Sequence, residues 1–425
     1  MPTADGSTIA LLGLAANAAD IIEKKGASLL QLDAVQTLGF AGLALFLGYA
    51  LGRAIPLLGR YTLPPPVVGG LVFAVAAWVA HARGATLFTL DTALQGPLMI
   101  AFFTTIGFNA SLRLLKISGR QVVVFLVLAS VFAVVQNQIG IAVASAFGLH
   151  PLFGVLAGST TLTGGPATGL AFAPLFEQAG VPGAASVAVA AAMGGIVLGG
   201  LLGGPVVTVL IRRFGLESVR PQDHVAPGDV PGVEVQTEAQ REHGALKSIV
   251  AILVAMWLGS WVSEWISSLG VTLPAYVGAM LVGAVIRNID DATHRIGIPV
   301  PTTDLIGNVA LALFLSVALT NLKLWELAGL ALPLLVNLAL QALAVCAFCL
   351  MVFRAMGRDY DAAVMGGGFI GFMLGTTANA MAVMRTLVER YGAAPRAFLV
   401  APLVGAFFID FTNALIITGY INFFR

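Results

Sequence analysis

The chain has 425 residues, 58% of them hydrophobic and only 10% charged, with a formal net charge of +1. A soluble domain carries about 25% charged residues, so this chain cannot cover a fully water-exposed surface. Its near-neutral balance also excludes nucleic acid as a bulk electrostatic partner.

Residues 1–32 read as an N-terminal extension. The apolar run at 8–22 is interrupted by Asn17 and Asp20, and it is shorter than the roughly 20 residues a spanning helix needs. No basic region precedes it, so no cleavable signal peptide is expected, and the segment fits an interfacial helix or a loosely ordered arm. Residues 33–211 follow, with candidate spans at 34–52, 64–80, 95–112, 121–147 and 184–211. Residues 212–245, rich in charge, proline and glycine, read as a solvated linker. Residues 246–425 then offer spans at 246–267, 271–287, 304–321, 326–353 and 397–420.

The two halves repeat one another. Thr62-Leu63-Pro64 returns as Thr272-Leu273-Pro274, and Glu177 to Gly180 returns as Glu389 to Gly392. Phe102-Phe103-Thr104 with Asn109 returns as Phe314-Leu315-Ser316 with Asn321. A half-chain period in so apolar a sequence is the usual build of a secondary transporter.

Two segments are apolar at their ends and broken in the middle. Residues 151–175 carry Gly158-Ser159-Thr160-Thr161 and Thr163-Gly164-Gly165, then Thr168-Gly169. Residues 361–385 carry Gly366-Gly367-Gly368, then Gly375-Thr376-Thr377-Ala378-Asn379. Interrupted segments at corresponding places in two repeats point to a binding site. If both fold back without crossing and the N-terminus is outside, only Lys24, Lys25, Arg83, Lys323 and Arg425 of the 22 Lys and Arg residues lie outside. If both cross, the inside-to-outside count becomes about 9 to 13 and loses its bias. The positive-inside rule therefore favours re-entrant segments, a cytoplasmic linker and both termini outside. Five crossings per half make the repeats inverted. The expected fold class is an all-α polytopic membrane protein with two inverted-topology repeats of five transmembrane helices, each with a re-entrant or broken helical segment. A pair of broken helices meeting at the midplane is the variant.

No Gly-x-x-x-x-Gly-Lys phosphate loop and no His-Glu-x-x-His motif occurs, and all five histidines fall at span ends or in loops. An enzyme is not expected. Asp410 lies well inside a span, where a carboxylate costs a few kcal/mol unless it meets a partner or a wet cavity. Asn413, three residues on, shares its helix face. Together they suit a hard cation such as Na⁺, or Asp410 ties helices together by hydrogen bonding. Thr160, Asn109 and Asn321 are further candidate oxygen ligands, although the two asparagines also suit helix capping. Thr163, Gly164, Gly165, Thr168, Gly169, Gly375, Thr376, Thr377 and Asn379 are the candidate substrate-binding residues. An unwound stretch there exposes N–H groups for carboxylates. Alternatively, the glycines serve packing and the threonines bond back to their own helices. Gln136, Asn137, Gln138, Asn337 and Gln341 are amides within apolar spans, expected to face protein and to hydrogen-bond between helices. Cys346 and Cys349 read as small packing residues.

These residues resemble the sodium/glutamate symporter family of bacterial inner membranes. The resemblance runs from about residue 33 to 420. It rests on Tyr61 to Pro64, Gln136-Asn137, Leu156 to Ser159 with Thr168-Gly169, and Gly203-Gly204-Pro205. In the second half it rests on Lys323 to Leu327, Tyr360 to Val364, and Pro402 to Asp410 with Asn413-Ala414-Leu415. It implies Na⁺-coupled glutamate uptake, homodimeric assembly and an elevator mechanism, with Na⁺ as coupling ion and no other cofactor. The chain departs from the family pattern at Pro166-Ala167 and Ala378-Asn379. A passive channel or facilitator for a small anion is the alternative function.

Overall fold

The computed structural model describes residues 28–56, 58, 63–113, 119–218, 238–270 and 273–424. Residues 1–27 of the extension, Thr62 and Thr272 of the repeated motif, and 219–237 of the linker lie outside the described residues.

The chain is mostly helical. In order come α1 (Ala34–Ala54), α2 (Pro65–Ala82), α3 (Gln95–Asn109), α4 (Gly119–Ala146), α5 (Pro151–Val155), α6 (Gly165–Gln178) and α7 (Ala184–Phe214). After the linker come α8 (Glu238–Ser268), α9 (Ala275–Thr293), α10 (Val300–Thr320), α11 (Ala331–Ala355), α12 (Tyr360–Met373), α13 (Thr377–Tyr391), α14 (Pro395–Leu403) and α15 (Ile409–Phe424). Helices α7 and α8 extend into the expected linker from both sides.

Among the described residues, seven helices are long and apolar enough to cross a membrane: α1, α2, α4, α7, α10, α11 and residues 242–268 of α8. Three expected spans look different. Segment 95–112 is the 15-residue α3, which at 1.5 Å per residue is shorter than a hydrocarbon core of about 30 Å. Segment 271–287 is α9, whose end carries Arg287, Asp290 and Asp291. Segment 397–420 is interrupted by a π-helical turn at Val404–Phe408. Pro402 lies just before that turn and cannot donate to the ladder, which loosens the helix there.

At the end of the extension, Ser28–Leu32 forms a strand, β1, that pairs in parallel with β2 at Thr86–Leu90, while the apolar run at 8–22 lies outside the described residues. Asp91 N–H completes the link by donating to Leu32 O at 3.1 Å. Asp33 then starts α1 with a capping box, accepting from Gln36 N–H at 2.8 Å while the Gln36 side chain accepts from Asp33 N–H.

The helices pack in two groups. Helices α1–α3 and α8–α10 contact mainly one another, as do α4–α7 and α11–α15. Small residues set the approach within each group. A Cβ on Gly69 would collide with Ala44 O, bringing α2 against α1, and one on Gly140 would collide with Gly154 O, bringing α4 against α5. Phe369 on α12 lies 5.8 Å, ring to ring, from Phe125 on α4 and stacks at 5.5 Å on Phe348 of α11. That aromatic cluster seats the second broken segment in the core of the second group. Between the groups, Tyr276 of α9 meets Phe172 of α6 edge to face at 5.2 Å.

Candidate functional site

Both broken segments fold as helix–turn–helix hairpins. In the first, α5 passes into a π-helical turn at Leu156–Thr160, where Gly158 leaves helical geometry at φ −98° and ψ −127°. Gly165 opens α6 with φ +69°, a left-handed conformation that glycine adopts without steric cost. In the second, α12 ends at Met373 and Thr376 caps α13, its hydroxyl accepting from Asn379 N–H at 3.4 Å.

The two tips meet. A Cβ on Gly165 would lie 3.5 Å from Thr376 Cγ2 and 3.8 Å from Gly375 O. The N-termini of α6 and α13 therefore converge from segments about 210 residues apart in sequence. Each brings unpaired N–H groups and partial positive charge.

Buried amides hold the tips. Gln136 of α4 donates to Met373 O at 2.7 Å and accepts from Thr163 Oγ1 at 2.5 Å, so one side chain binds both hairpins. Gln341 of α11 donates to Gln136 O at 2.7 Å, and Asn337 donates to Ala157 O at 2.7 Å. Asn137 Oδ1 accepts from Ser159 N–H at 2.9 Å. Asn413 of α15 donates to Ser159 O at 2.9 Å. Breaking the helices exposes peptide groups that hydrocarbon cannot satisfy, and these amides satisfy them.

Most of the expected site residues come together, but in different roles. Thr163, Gly164, Gly165, Gly375 and Thr376 form the junction of the tips. Gly164 packs against Thr168, whose Cβ would lie 2.6 Å from an added methyl. Gly169 faces away from the junction, packed against Thr161 and Ala188 of α7. Asn379 is a clamp: its amide nitrogen donates to Ile196 O at 3.0 Å and Gly371 O at 3.2 Å. Thr377 faces the π turn before α15, 2.9 Å from a Cβ placed on Gly405.

Among the cation candidates, Asn413 bonds to Ser159 O in the turn that also carries Thr160, and Asp410 lies one turn before Asn413 on α15. Asn109 and Asn321 lie elsewhere. Asn109 donates to Asp304 Oδ1 at 2.6 Å, and Asn321 is an exposed C-cap of α10. Among the described residues, no three His, Cys, Asp or Glu side chains group to hold a metal. A cation here would have to rely on hydroxyl, amide and carbonyl oxygens. An apolar cavity of about 240 Å³ between α1, α3, α8 and α10 offers no polar group for a carboxylate.

Sequence reasoning singled out Gln136 and Asn137 as interhelical amides but missed that they bind the broken backbone itself. The sequence pattern gives Ser159 no role of its own within the first Gly-Ser-Thr motif, and it carries no signal of the π turn at Val404–Phe408.

The sequence profile of the sodium/glutamate symporter family matches residues 30–393. The chain belongs to the sodium/glutamate symporter family. It is 41% identical over 395 residues to a protein of Escherichia coli strain K12 named sodium/glutamate symporter, covering 92% of this chain and 98% of that one. It is 39% identical over 386 residues to the Haemophilus influenzae protein of the same name, covering 90% and 95%. Both hairpins lie within the matched span, and α15 with Asp410 and Asn413 lies beyond the profile match.

Proposed function

We propose that this chain is a Na⁺-coupled symporter that carries glutamate, or a closely related small carboxylate, into the bacterial cell. The observation that carries the reading is the meeting of the two broken hairpins, tied by Gln136, in a member of this family. The N–H groups at the starts of α6 and α13 provide for two carboxylates, with Thr163, Gly164, Gly165, Gly375 and Thr376 lining the junction.

The repeats are inverted, with residues 33–211 and 246–425 as the two units, each with five crossings and one re-entrant hairpin. The charge bias of the loops supports this arrangement, with the linker cytoplasmic and both termini periplasmic at the inner membrane. Impermeant labelling from outside of a single cysteine in 219–237 would contradict it. Transport proceeds by an elevator movement. The separation into two packing groups supports it, because α4–α7 and α11–α15 carry both hairpins and can slide as a body against the others. The fixed body is anchored in a homodimer, and native mass spectrometry showing only monomers would count against that.

The decisive substrate test is uptake into proteoliposomes from a panel of amino acids and dicarboxylates under imposed Na⁺ or H⁺ gradients. Glutamate accumulation that needs Na⁺ supports the reading. Equilibration without accumulation would indicate a passive facilitator instead.

A further inference from the structure

Three buried oxygens at the first tip have no hydrogen-bond partner: Ser159 Oγ, Thr160 Oγ1 and Asn413 Oδ1. Ser159, Thr160 and Asn413 are each fully buried at 0% exposure. An orphaned polar atom inside a protein costs about 1–3 kcal/mol, so three in one place need an explanation. They are held together by the backbone. Ser159 and Thr160 are adjacent in the π turn, and the Asn413 amide nitrogen donates to Ser159 O at 2.9 Å, which brings the Asn413 side chain to the same turn. Ser159 O already accepts from Thr163 N–H, Gly164 N–H and Asn413, so no competing acceptor demand is left there.

The three atoms share one chemistry. The amide oxygen only accepts, and neither hydroxyl donates to it or to any other described group. Three neutral oxygens with lone pairs free are what a hard monovalent cation uses in place of its hydration shell. The two π-helical turns, at Leu156–Thr160 and Val404–Phe408, sit on the two elements that supply them. Such turns inside helices frequently mark functional sites. Asp410 places a carboxyl one turn earlier on α15.

We propose that Ser159 Oγ, Thr160 Oγ1 and Asn413 Oδ1 form a Na⁺ site between the first hairpin and α15. The proposal rests on the Na⁺-coupled reading above and deepens it, because Ser159 enters and Asn109 and Asn321 leave. Binding there would reinforce the bond that already joins the first hairpin to α15. Na⁺ at this point and the substrate carboxylate at the Gly165 junction then favour one another by linkage.

The test measures the Na⁺ concentration for half-maximal glutamate uptake in proteoliposomes, and the thermal shift that Na⁺ produces in purified protein without substrate. The expected result is that Ser159→Ala and Thr160→Val each raise the half-saturating Na⁺ concentration about tenfold. Both should also lose the Na⁺-specific thermal shift relative to equal K⁺. Thr160→Ser, which restores an oxygen, should behave like the unaltered protein, and so should Asn321→Ala. If the unaltered protein responds to Na⁺ and the Ser159 and Thr160 variants keep its half-saturation, the oxygens are satisfied by ordered water. The site is then wrong while Na⁺ coupling stands. If the unaltered protein shows neither Na⁺-dependent uptake nor a Na⁺-specific shift, Na⁺ coupling itself fails.

Discussion

Asn413 donates its side-chain amide to Ser159 O at 2.9 Å, across 254 positions of sequence. This bond joins the last helix of the chain to the broken turn of the first hairpin. Asp410 lies one turn before Asn413 on the same helix. Glutamate carries net −1 and an ionised Asp410 would add a second negative charge, so moving both through hydrocarbon without cations would be costly. Asp410→Asn should therefore weaken Na⁺ dependence while leaving substrate selectivity in place. An unchanged Na⁺ concentration dependence and coupling stoichiometry in that variant would make Asp410 a structural residue.

Gln136 should be as sensitive as any residue at the tips. Replacing it with leucine leaves Thr163 Oγ1 without its partner and Met373 O without its donor, both buried. The expected loss is about 1–3 kcal/mol for each orphaned group, read as a lower melting temperature in mild detergent together with loss of uptake. Gln136→Glu keeps an acceptor for Thr163 but sets a buried carboxylate against Met373 O, so it should be at least as destabilising as leucine at neutral pH. A leucine variant with normal stability and uptake would remove Gln136 from the account.

Gly165 separates the site from the scaffold. Alanine there is strained by the φ of +69°, at about 1–2 kcal/mol, and its methyl reaches the Thr376 side of the junction. Gly165→Ala should raise the KM for glutamate more than Gly169→Ala does, since Gly169 faces Thr161 and Ala188 instead. Uptake kinetics at saturating Na⁺ would check it, and equal effects at both positions would contradict the placement of the junction.

The hairpins were legible because Gly-Ser-Thr clusters cannot continue an apolar helix, and Thr163, Gly165 and Thr376 meet where those clusters predicted. The amides were legible only in part. Burial of Gln136, Asn137 and Gln341 follows from their place in apolar helices, but which backbone groups they satisfy depends on how the hairpins fold back. The packing partners of Asn379 and Gly169 are not legible for the same reason: spacing places a residue near a break without saying which way it faces. Strand β1 escaped notice because five residues pair with a segment more than fifty positions away. No local pattern carries that information.

Asp290 gives a pH test away from the bilayer-spanning segments, past the expected end of a span at residue 287. Burial alone would raise its pKa. Hydrogen bonds from Ile298, Gly297 and Ile296 N–H, at 3.0, 2.7 and 2.9 Å, outweigh burial, and the Arg287 charge adds to them. The carboxyl is thus held below its ordinary value. The folded state then binds fewer protons than the unfolded one. Asp290 stabilises above the unfolded carboxylate pKa, and that stability is lost as pH falls through the lower folded value. The gap in melting temperature between the unaltered protein and Asp290→Asn should be widest near neutral pH and shrink below about pH 4. A gap independent of pH would mean the carboxylate charge contributes nothing at this turn.

The most direct measurement is accumulation of labelled glutamate in proteoliposomes holding the purified protein. It compares an inward Na⁺ gradient with equal Na⁺ on both sides and with a matching K⁺ gradient. Glutamate should rise inside above its outside concentration only under the Na⁺ gradient, and collapsing that gradient with a Na⁺ ionophore should release it. Equal uptake under all three conditions, stopping at equilibrium, would contradict Na⁺-coupled symport.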